Sequence, residues 1–230
     1  MGDTAYLNGK ILSQTAARAN MDEAERWLAR FGKGLNDSSP DKMWNVKYAD
    51  YFEQKRSSKI LDLGCGDGVH ACYMHDKRYN VTACDISSTA LKVVNERNPA
   101  VPTLLFDMAQ GLPFPGESFG IVFSSLSVHY FTMSDTITLF ENIHTVLEMG
   151  GYFIFKVNSY KEYYLTTKGK NTTRIEEDYF LSPNGEKRRY FTVDSMEKLL
   201  ARFSVLSLAE NDFTYHGKTK YSIEGVAQKI

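Results

Sequence analysis

From residue 59 onward, short apolar runs alternate with stretches in which apolar residues recur at helical spacing. Brief runs bounded by Gly, Asp, Asn or Pro read as strands, and the longer periodic stretches between them read as helices. Strands are expected at residues 60–63, 80–84, 102–106, 121–124 and 152–157. Helices are expected at 69–78, 88–97 and 135–149, the last closed by Gly150 and Gly151, a frequent helix stop. A helix at 192–203 opens on Thr192 and Asp194, and the runs 205–215 and 221–230 flank His216, Gly217 and Lys218 as a hairpin. Such alternation requires an α/β fold: a doubly wound, mostly parallel sheet with helices on both faces and a C-terminal antiparallel hairpin.

The flanks differ in texture. Residues 1–57 carry helical signals and no strand, so an N-terminal helical cap is expected before a domain spanning 58–230. In residues 16–31, Met21, Ala24, Trp27, Leu28 and Phe31 fall at helical spacing until Gly32, Gly34, Asn36 and Pro40 interrupt it. A second helix follows through Trp44, Val46, Tyr48 and Phe52. Residues 160–185 are polar and aromatic without a clean period, and 158–191 is expected to be a lid or substrate insertion.

Composition narrows the partners. The 230 residues hold 27 Lys and Arg against 28 Asp and Glu, a balance that offers no basic face for nucleic acid. No apolar run approaches the roughly 20 residues of a membrane helix. The start, MGDTAYLNGKILSQTAARAN, lacks the basic-then-apolar order of a secretory signal. Cys65, Cys72 and Cys84 have no zinc-site spacing, so free buried thiols in a reducing cytoplasm are expected.

The segment ILDLGCGDG, residues 60–68, joins the first strand of the sheet to its first helix. Its glycines permit positive φ and a ligand's close approach, and amides at the start of the helix can face that ligand. Asp62 precedes the first glycine, Asp85 ends the second strand, and Asp107, followed by Met108, ends the third. A carboxylate at the end of the second strand can accept both ribose hydroxyls, while Asp107 and the Met108 thioether suit the amino group and flat face of adenine. Each aspartate alone could equally cap a local turn; together at one sheet edge they describe an adenosine pocket. The third glycine comes one residue early for a dinucleotide fingerprint, with Val69 in its place, and no G-K-[ST] follows for a P-loop. Asp62 and Asp67 add negative charge that a pyrophosphate tolerates poorly. An acidic rim instead suits S-adenosyl-L-methionine (SAM), which carries a sulfonium and an ammonium and no phosphate.

ILDLGCGDG, CDIS at residues 84–87 and the stretch from Asp107 through LPFPGESFGIV resemble the motif series of class I SAM-dependent methyltransferases of the small-molecule type. The resemblance covers residues 58–158. It implies SAM as cofactor and a Rossmann-like seven-stranded sheet ending in an antiparallel pair. It also implies that Gly64, Cys65 and Gly66, with Asp62, lie at the methionine part. Asp85 and Ile86 would lie at the ribose, Asp107 and Met108 at the adenine, and Ser124, Ser125 and Leu126 where the cofactor meets the fourth strand. Gly120 departs from the Asp usual in such sequences, which weakens the expected fourth strand. SSLSVHYF (124–131), KVNS (156–159) and RRYFT (188–192) are similar to tellurite-resistance-like bacterial members in the type 11 or 25 neighbourhood, a likeness that establishes no substrate.

Methyl transfer from a sulfonium is an in-line displacement in which positive charge disperses, so alignment and desolvation carry most of the catalysis. The acceptor must shed a proton. His129, in the loop after the fourth strand, is the candidate base, with Tyr130 beside it; packing is the alternative role for both. Substrate candidates are Trp44 and Tyr48 before the sheet, Asn158 after the fifth strand, and Tyr160 and Tyr164 in the variable segment. Arg189, with Lys187 and Arg188, could grip an anion; for all of these, core packing or a solvated turn is the alternative. No His, Cys and Asp cluster has metal spacing. The expected protein is a monomeric or homodimeric methyltransferase for a small-molecule substrate, with a silent SAM-binding module or a protein or RNA methyltransferase as rivals.

Overall fold

The computed structural model describes residues 40–167, 171–183, 185–215 and 218–230. Its main sheet contains β1 (Lys59–Leu63), β2 (Asn80–Asp85), β3 (Thr103–Leu105), β4 (Phe119–Ser125) and β5 (Leu147–Asn158). A second, small sheet contains β6 (Thr173–Glu176), β7 (Tyr179–Leu181) and β8 (Lys187–Arg189), and the main sheet is completed by β9 (Phe203–Tyr215) and β10 (Lys218–Lys229). The seven main strands lie in the order β3-β2-β1-β4-β5-β10-β9. The first five pair in parallel, while β10 runs antiparallel to both β5 and β9. Connections are made by α1 (Ala49–Gln54), α2 (Val69–Asp76), α3 (Ser88–Arg97), α4 (Met133–Val146) and α5 (Val193–Leu199). Among the described residues, no helix is long and apolar enough to cross a membrane.

The two faces follow from the period of two along each strand. Leu61, Leu63, Val122, Phe153 and Phe155 turn to one side and join Leu139, Phe140 and Ile143 of α4. Their neighbours Ile60, Ile121, Phe123, Tyr152 and Ile154 turn to the other and join α2, α3, Trp44, Tyr48 and Phe52. Because both faces are covered, the strands read as nearly continuous apolar runs rather than alternating ones. Phe123 is fully buried with ring centroids 5.1 Å from Trp44 and 6.1 Å from Phe52; burial of such a ring contributes about 1.5–3 kcal/mol.

Several expected elements take other forms. The expected helix at 16–31 lies outside the described residues, and the segment after Pro40 is a 3₁₀ stretch, Pro40–Tyr48, before it becomes α1. α4 stops at Val146, three residues before the expected end at 149, because Leu147 already takes extended backbone angles and begins β5. Gly150, at φ +69°, therefore sits inside β5 near the point where its pairing with β4 shifts register, and does not end a helix. α5 ends at Leu199 rather than 203, its start held by a capping box between Thr192 and Ser195. β4 is longer than expected, and Gly120 is the reason it closes well: a Cβ there would meet the Ser58 Cβ at 2.4 Å. Ser58 Oγ donates to Glu148 Oε2 at 2.8 Å, so a carboxylate already lies over the place where an Asp side chain would project.

Candidate functional site

The strand order reverses at β1. The chain moves outward through β2 and β3, then returns across β1 to β4. At such a switch point the connections leave in opposite directions and open a crevice beyond the carboxyl ends of the strands. A cleft of about 320 Å³ opens there, within the size range of small-molecule sites. Asp62, Gly64, Cys65, Gly66, Asp85, Ile86, Asp107, Met108, Ser125 and Leu126 all line it, together with His129, Tyr130 and Asn158. These residues come from the ends of five strands, β1 to β5, and are brought together by parallel pairing alone.

Gly64 takes φ +74°, and a Cβ added to it would lie 2.3 Å from the Ser127 Cβ and 3.2 Å from the Met108 Cε. The turn is therefore pressed against the loop after β4, leaving a side-chain-free wall. Ser127 fixes that contact by donating from Oγ to the Leu63 carbonyl at 2.5 Å, and its Oγ also shares a hydrogen bond of 2.7 Å with Ser124. The loop itself is strained: Leu126 adopts φ +57°, and its amide donates to the Lys156 carbonyl at 2.8 Å. A non-glycine residue in this region costs of the order of 1–3 kcal/mol, and such strain concentrates at functional sites.

The carboxylates have distinct environments. Asp62 is buried, and burial, reinforced by the charge of Asp85, pushes its carboxyl up to about 8. Its Oδ2 has no hydrogen-bond partner among the described residues. Asp85 accepts from the Ser87 amide through Oδ1 and the Gly66 amide through Oδ2, both at 2.9 Å; burial raises its carboxyl while these amides pull it back. Asp107 accepts from the Ala109 amide at 2.9 Å, and burial raises its carboxyl too. Each of the latter two thus caps its own turn and also faces the cleft, so the capping and ligand-binding roles coexist. An unpaired carboxyl oxygen, a wall where a Cβ is excluded and two further aspartates form an acidic, close-fitting cradle that matches a cationic nucleoside such as SAM.

At the far end the cleft is walled by His129, Tyr130, Phe131, Asn158, Arg188, Phe213 and Lys220. His129 is buried, with its ring centroid 4.3 Å from that of Tyr130. The small sheet holds this wall: the Arg189 amide donates to the His129 carbonyl at 2.8 Å, and the Tyr179 hydroxyl donates to the Tyr130 carbonyl at 2.7 Å. His70, on α2, also lines the cleft, with Nδ1 3.1 Å from Asn45 Oδ1. Burial and the nearby Lys156 charge push this imidazole down to about 3, so it stays neutral.

Other expected site residues lie elsewhere. Ser124 turns into the sheet interior and meets the cleft only through Ser127. Trp44 and Tyr48 pack as a pair, centroids 4.9 Å apart, and Trp44 backs Phe123 and His70 rather than facing the cleft. Tyr164 is exposed, and Tyr160 packs on Tyr163, which stacks on Phe180 at 4.0 Å. Arg189 points away from the cleft, buried against Glu176 Oε2 at 2.9 Å with Nη1 donating to the Glu177 carbonyl at 2.9 Å. In an extended strand adjacent side chains face opposite ways, so Arg188 takes the position facing the cleft. Asp67, read in the sequence as part of the acidic rim, also lines the cleft, whereas His70, Ser127, Phe131, Phe213 and Lys220 were not expected in the wall. His70, the second residue of α2, directly follows the glycine turn, a signal the sequence did carry; Phe213 and Lys220 arrive together because they are cross-strand partners, which only the β9–β10 register reveals. Among the described residues, no cluster of His, Cys, Asp and Glu could hold a metal ion.

Comparison with known proteins agrees with this geometry. Residues 61–155 match the family model described as a methyltransferase domain. The chain is 36% identical over 145 residues to the mitochondrial arginine-hydroxylase NDUFAF5 of Rattus norvegicus, covering 56% of this chain and 40% of that one. It is 26% identical over 147 residues to the 18S rRNA (guanine-N(7))-methyltransferase of Bos taurus, covering 57% of this chain and 51% of that one. The chain thus spans about half or less of the length of these curated relatives. Among solved structures, the 1,6-didemethyltoxoflavin-N1-methyltransferase of Burkholderia thailandensis, with bound 1,6-didemethyltoxoflavin and S-adenosylhomocysteine, superposes with a TM-score of 0.69 at 16% identity. That match covers 98% of this chain and 94% of the other.

Proposed function

We propose that this chain, which belongs to the class I SAM-dependent methyltransferases, transfers a methyl group from SAM to a small-molecule acceptor. The observation that carries the reading is the convergence of Asp62, Asp85 and Asp107 with the Gly64 turn on one cleft that continues past His129. When bound, SAM supplies an electrophilic methyl group on a sulfonium. Asp85 would accept the ribose hydroxyls with the lone pairs its two amide contacts leave open. Asp107 and Met108 would hold the adenine, and Asp62, with the glycine turn, would face the cationic amino-acid end.

His129 and Tyr130 stand at the mouth of the acceptor end, where a proton leaving the acceptor can be held. Phe131 and Phe213 exclude water from the same space, and Asn158 orients what enters it. The structural neighbour with bound 1,6-didemethyltoxoflavin and S-adenosylhomocysteine supports the small-molecule reading; the rRNA enzyme among the relatives marks the RNA alternative, which the near-neutral charge of this chain disfavours. The described residues of the 158–191 segment serve as the substrate lid over a domain beginning near residue 58, with residues 40–57 on its cap side. Free, buried Cys65, Cys72 and Cys84 support a reducing cytoplasm.

Calorimetry with S-adenosylhomocysteine (SAH) tests the cofactor half: saturable binding is expected, and none at millimolar ligand overturns it. Asp85→Ala should weaken binding about tenfold or more, as expected for loss of hydrogen bonds to a charged group worth about 1.5–3 kcal/mol. Conversion of SAM to SAH with small acceptors tests the other half. A chain that binds SAH and turns over no acceptor is the silent module instead.

A further inference from the structure

We propose that the acceptor is a small planar anion, recognised at the far end of the cleft by Arg188, Asn158 and Lys220. This rests on the methyltransferase reading and names the substrate class for the same site.

The two ends of the cleft differ in charge. The aspartates belong to the ends of β1, β2 and β3 around the glycine turn, whereas Arg188 and Lys220 of the wall come from β8 and β10, which lie beside His129 and Asn158. Each is steadied by a carboxylate behind it: Arg188 Nη2 by Glu186 at 2.9 Å, and Lys220 Nζ by Glu162. These pairs hold the cations in place, and the Tyr190 hydroxyl is a further partner of the Arg188 guanidinium. Asn158 lines the same end and is more than nine-tenths buried, with no hydrogen-bond partner for Nδ2 among the described residues. Arg188 Nε is likewise buried and without a hydrogen-bond partner.

Two buried N–H donors left open in one wall are costly, about 1–3 kcal/mol each when no acceptor meets them. Neither meets an acceptor among the described residues. A ligand oxygen that reaches them as the wall adjusts around it would satisfy them, and a charged one strengthens the contacts. A cationic acceptor would meet Arg188 and Lys220 unfavourably. A third cation reinforces the asymmetry: Lys156 is buried behind the wall with its Nζ 3.5 Å from the centroid of Phe213 and 3.6 Å from Glu224, which Lys47 also holds. Shape supplies the other half of the argument. Tyr130, Phe131, His129 and Phe213 present rings to the same space, a lining suited to a flat molecule.

The experiment uses the full chain loaded with saturating SAH, so that cofactor binding is established first. Calorimetry then compares matched aromatic probes: 2- and 4-hydroxybenzoate, the corresponding hydroxybenzamides, and tyramine. At least one hydroxybenzoate is expected to bind tenfold or more tightly than its amide, and tyramine not at all. Arg188→Gln is expected to abolish that preference while SAH affinity stays within twofold and the circular dichroism spectrum is unchanged. Asn158→Ala should weaken the anion severalfold, again without change in SAH binding. Equal or tighter binding of amide or amine, failure of every hydroxybenzoate to bind the SAH-loaded chain, or a preference that survives Arg188→Gln overturns the proposal. Failure of SAH itself to bind overturns the methyltransferase reading instead, and the two failures are separable because SAH is measured before any acceptor is added.

Discussion

At the scale of single residues, Asp62, in its proposed place at the cofactor's amino-acid end, should make cofactor binding and stability depend on pH in opposite directions. Its carboxyl is raised by burial first and by Asp85 second, to about 8 from an ordinary value near 4. Between those values the folded chain keeps a proton that the unfolded chain releases, so the ligand-free protein should lose stability as pH rises through that window. SAH carries no net charge, but its α-ammonium placed beside the carboxyl favours the ionised form, so SAH affinity should rise over the same range and binding should release a proton. Calorimetry from pH 6 to 9 in buffers of different ionisation heat measures both, and Asp62→Asn should flatten the profile; an unaltered pH dependence in that variant removes Asp62 from the linkage. Gly64 gives a second residue-scale expectation. Gly64→Ala forces a side chain onto Ser127 at 2.3 Å in a left-handed backbone conformation, and should cost about 1–3 kcal/mol in denaturant unfolding while closing the cradle. Both residues were legible in the sequence because a glycine turn and a strand-end carboxylate mean something without knowledge of the fold.

At the scale of elements, legibility followed length and burial. β1, β2 and β4, covered on both faces, announced themselves as apolar runs, and the ends of β1 and β2 placed Asp62 and Asp85 correctly along the chain. The small sheet did not announce itself, because β6, β7 and β8 span only three or four residues and too few positions repeat to show a period. Its anchoring residue was visible in sequence but its direction was not: Arg188 and Arg189 differ by one position, and strand pleat sends one to the cleft and the other inward. Arg189 is 1% exposed, and its Nε donates to the Phe131 carbonyl at 3.1 Å, its Nη1 to the Glu177 carbonyl, while Nη2 meets Glu176. Arg189→Met should therefore strand two buried carbonyls and lower stability by about 3 kcal/mol. The loss should be local first. Hydrogen exchange is expected to quicken in β6–β8 and the His129 loop well before the main sheet, with SAH affinity retained and acceptor turnover reduced. Uniform acceleration across β1, β4 and β5 would instead mean that Arg189 supports the whole core.

At the scale of the whole molecule, the cleft is bounded by the ends of β1, β2, β4 and β5 and by β8, β9 and β10, so one site draws on nearly every part of the described fold. A ligand that binds only the folded state stabilises it by about 2.7 kcal/mol at a hundredfold excess over its dissociation constant. For a domain of this size each kcal/mol moves the melting temperature by about 2–4 °C, so saturating SAH should raise it by about 5–11 °C. The site's breadth predicts how the transition moves as well as how far. Trp44 lies behind His70 on the cleft and against Phe123 in the core, so its fluorescence, read in a Trp27→Phe variant, follows the same unfolding as the far-ultraviolet signal of the sheet. The two midpoints should shift together, and the shift at fixed SAH concentration should grow from pH 6.5 to 8.5 as Asp62 ionises more readily around the ligand. A fluorescence midpoint that moves while the far-ultraviolet one stays would show that SAH braces the pre-sheet segment alone, and that the switch-point crevice and the surrounding sheet do not unfold as one unit.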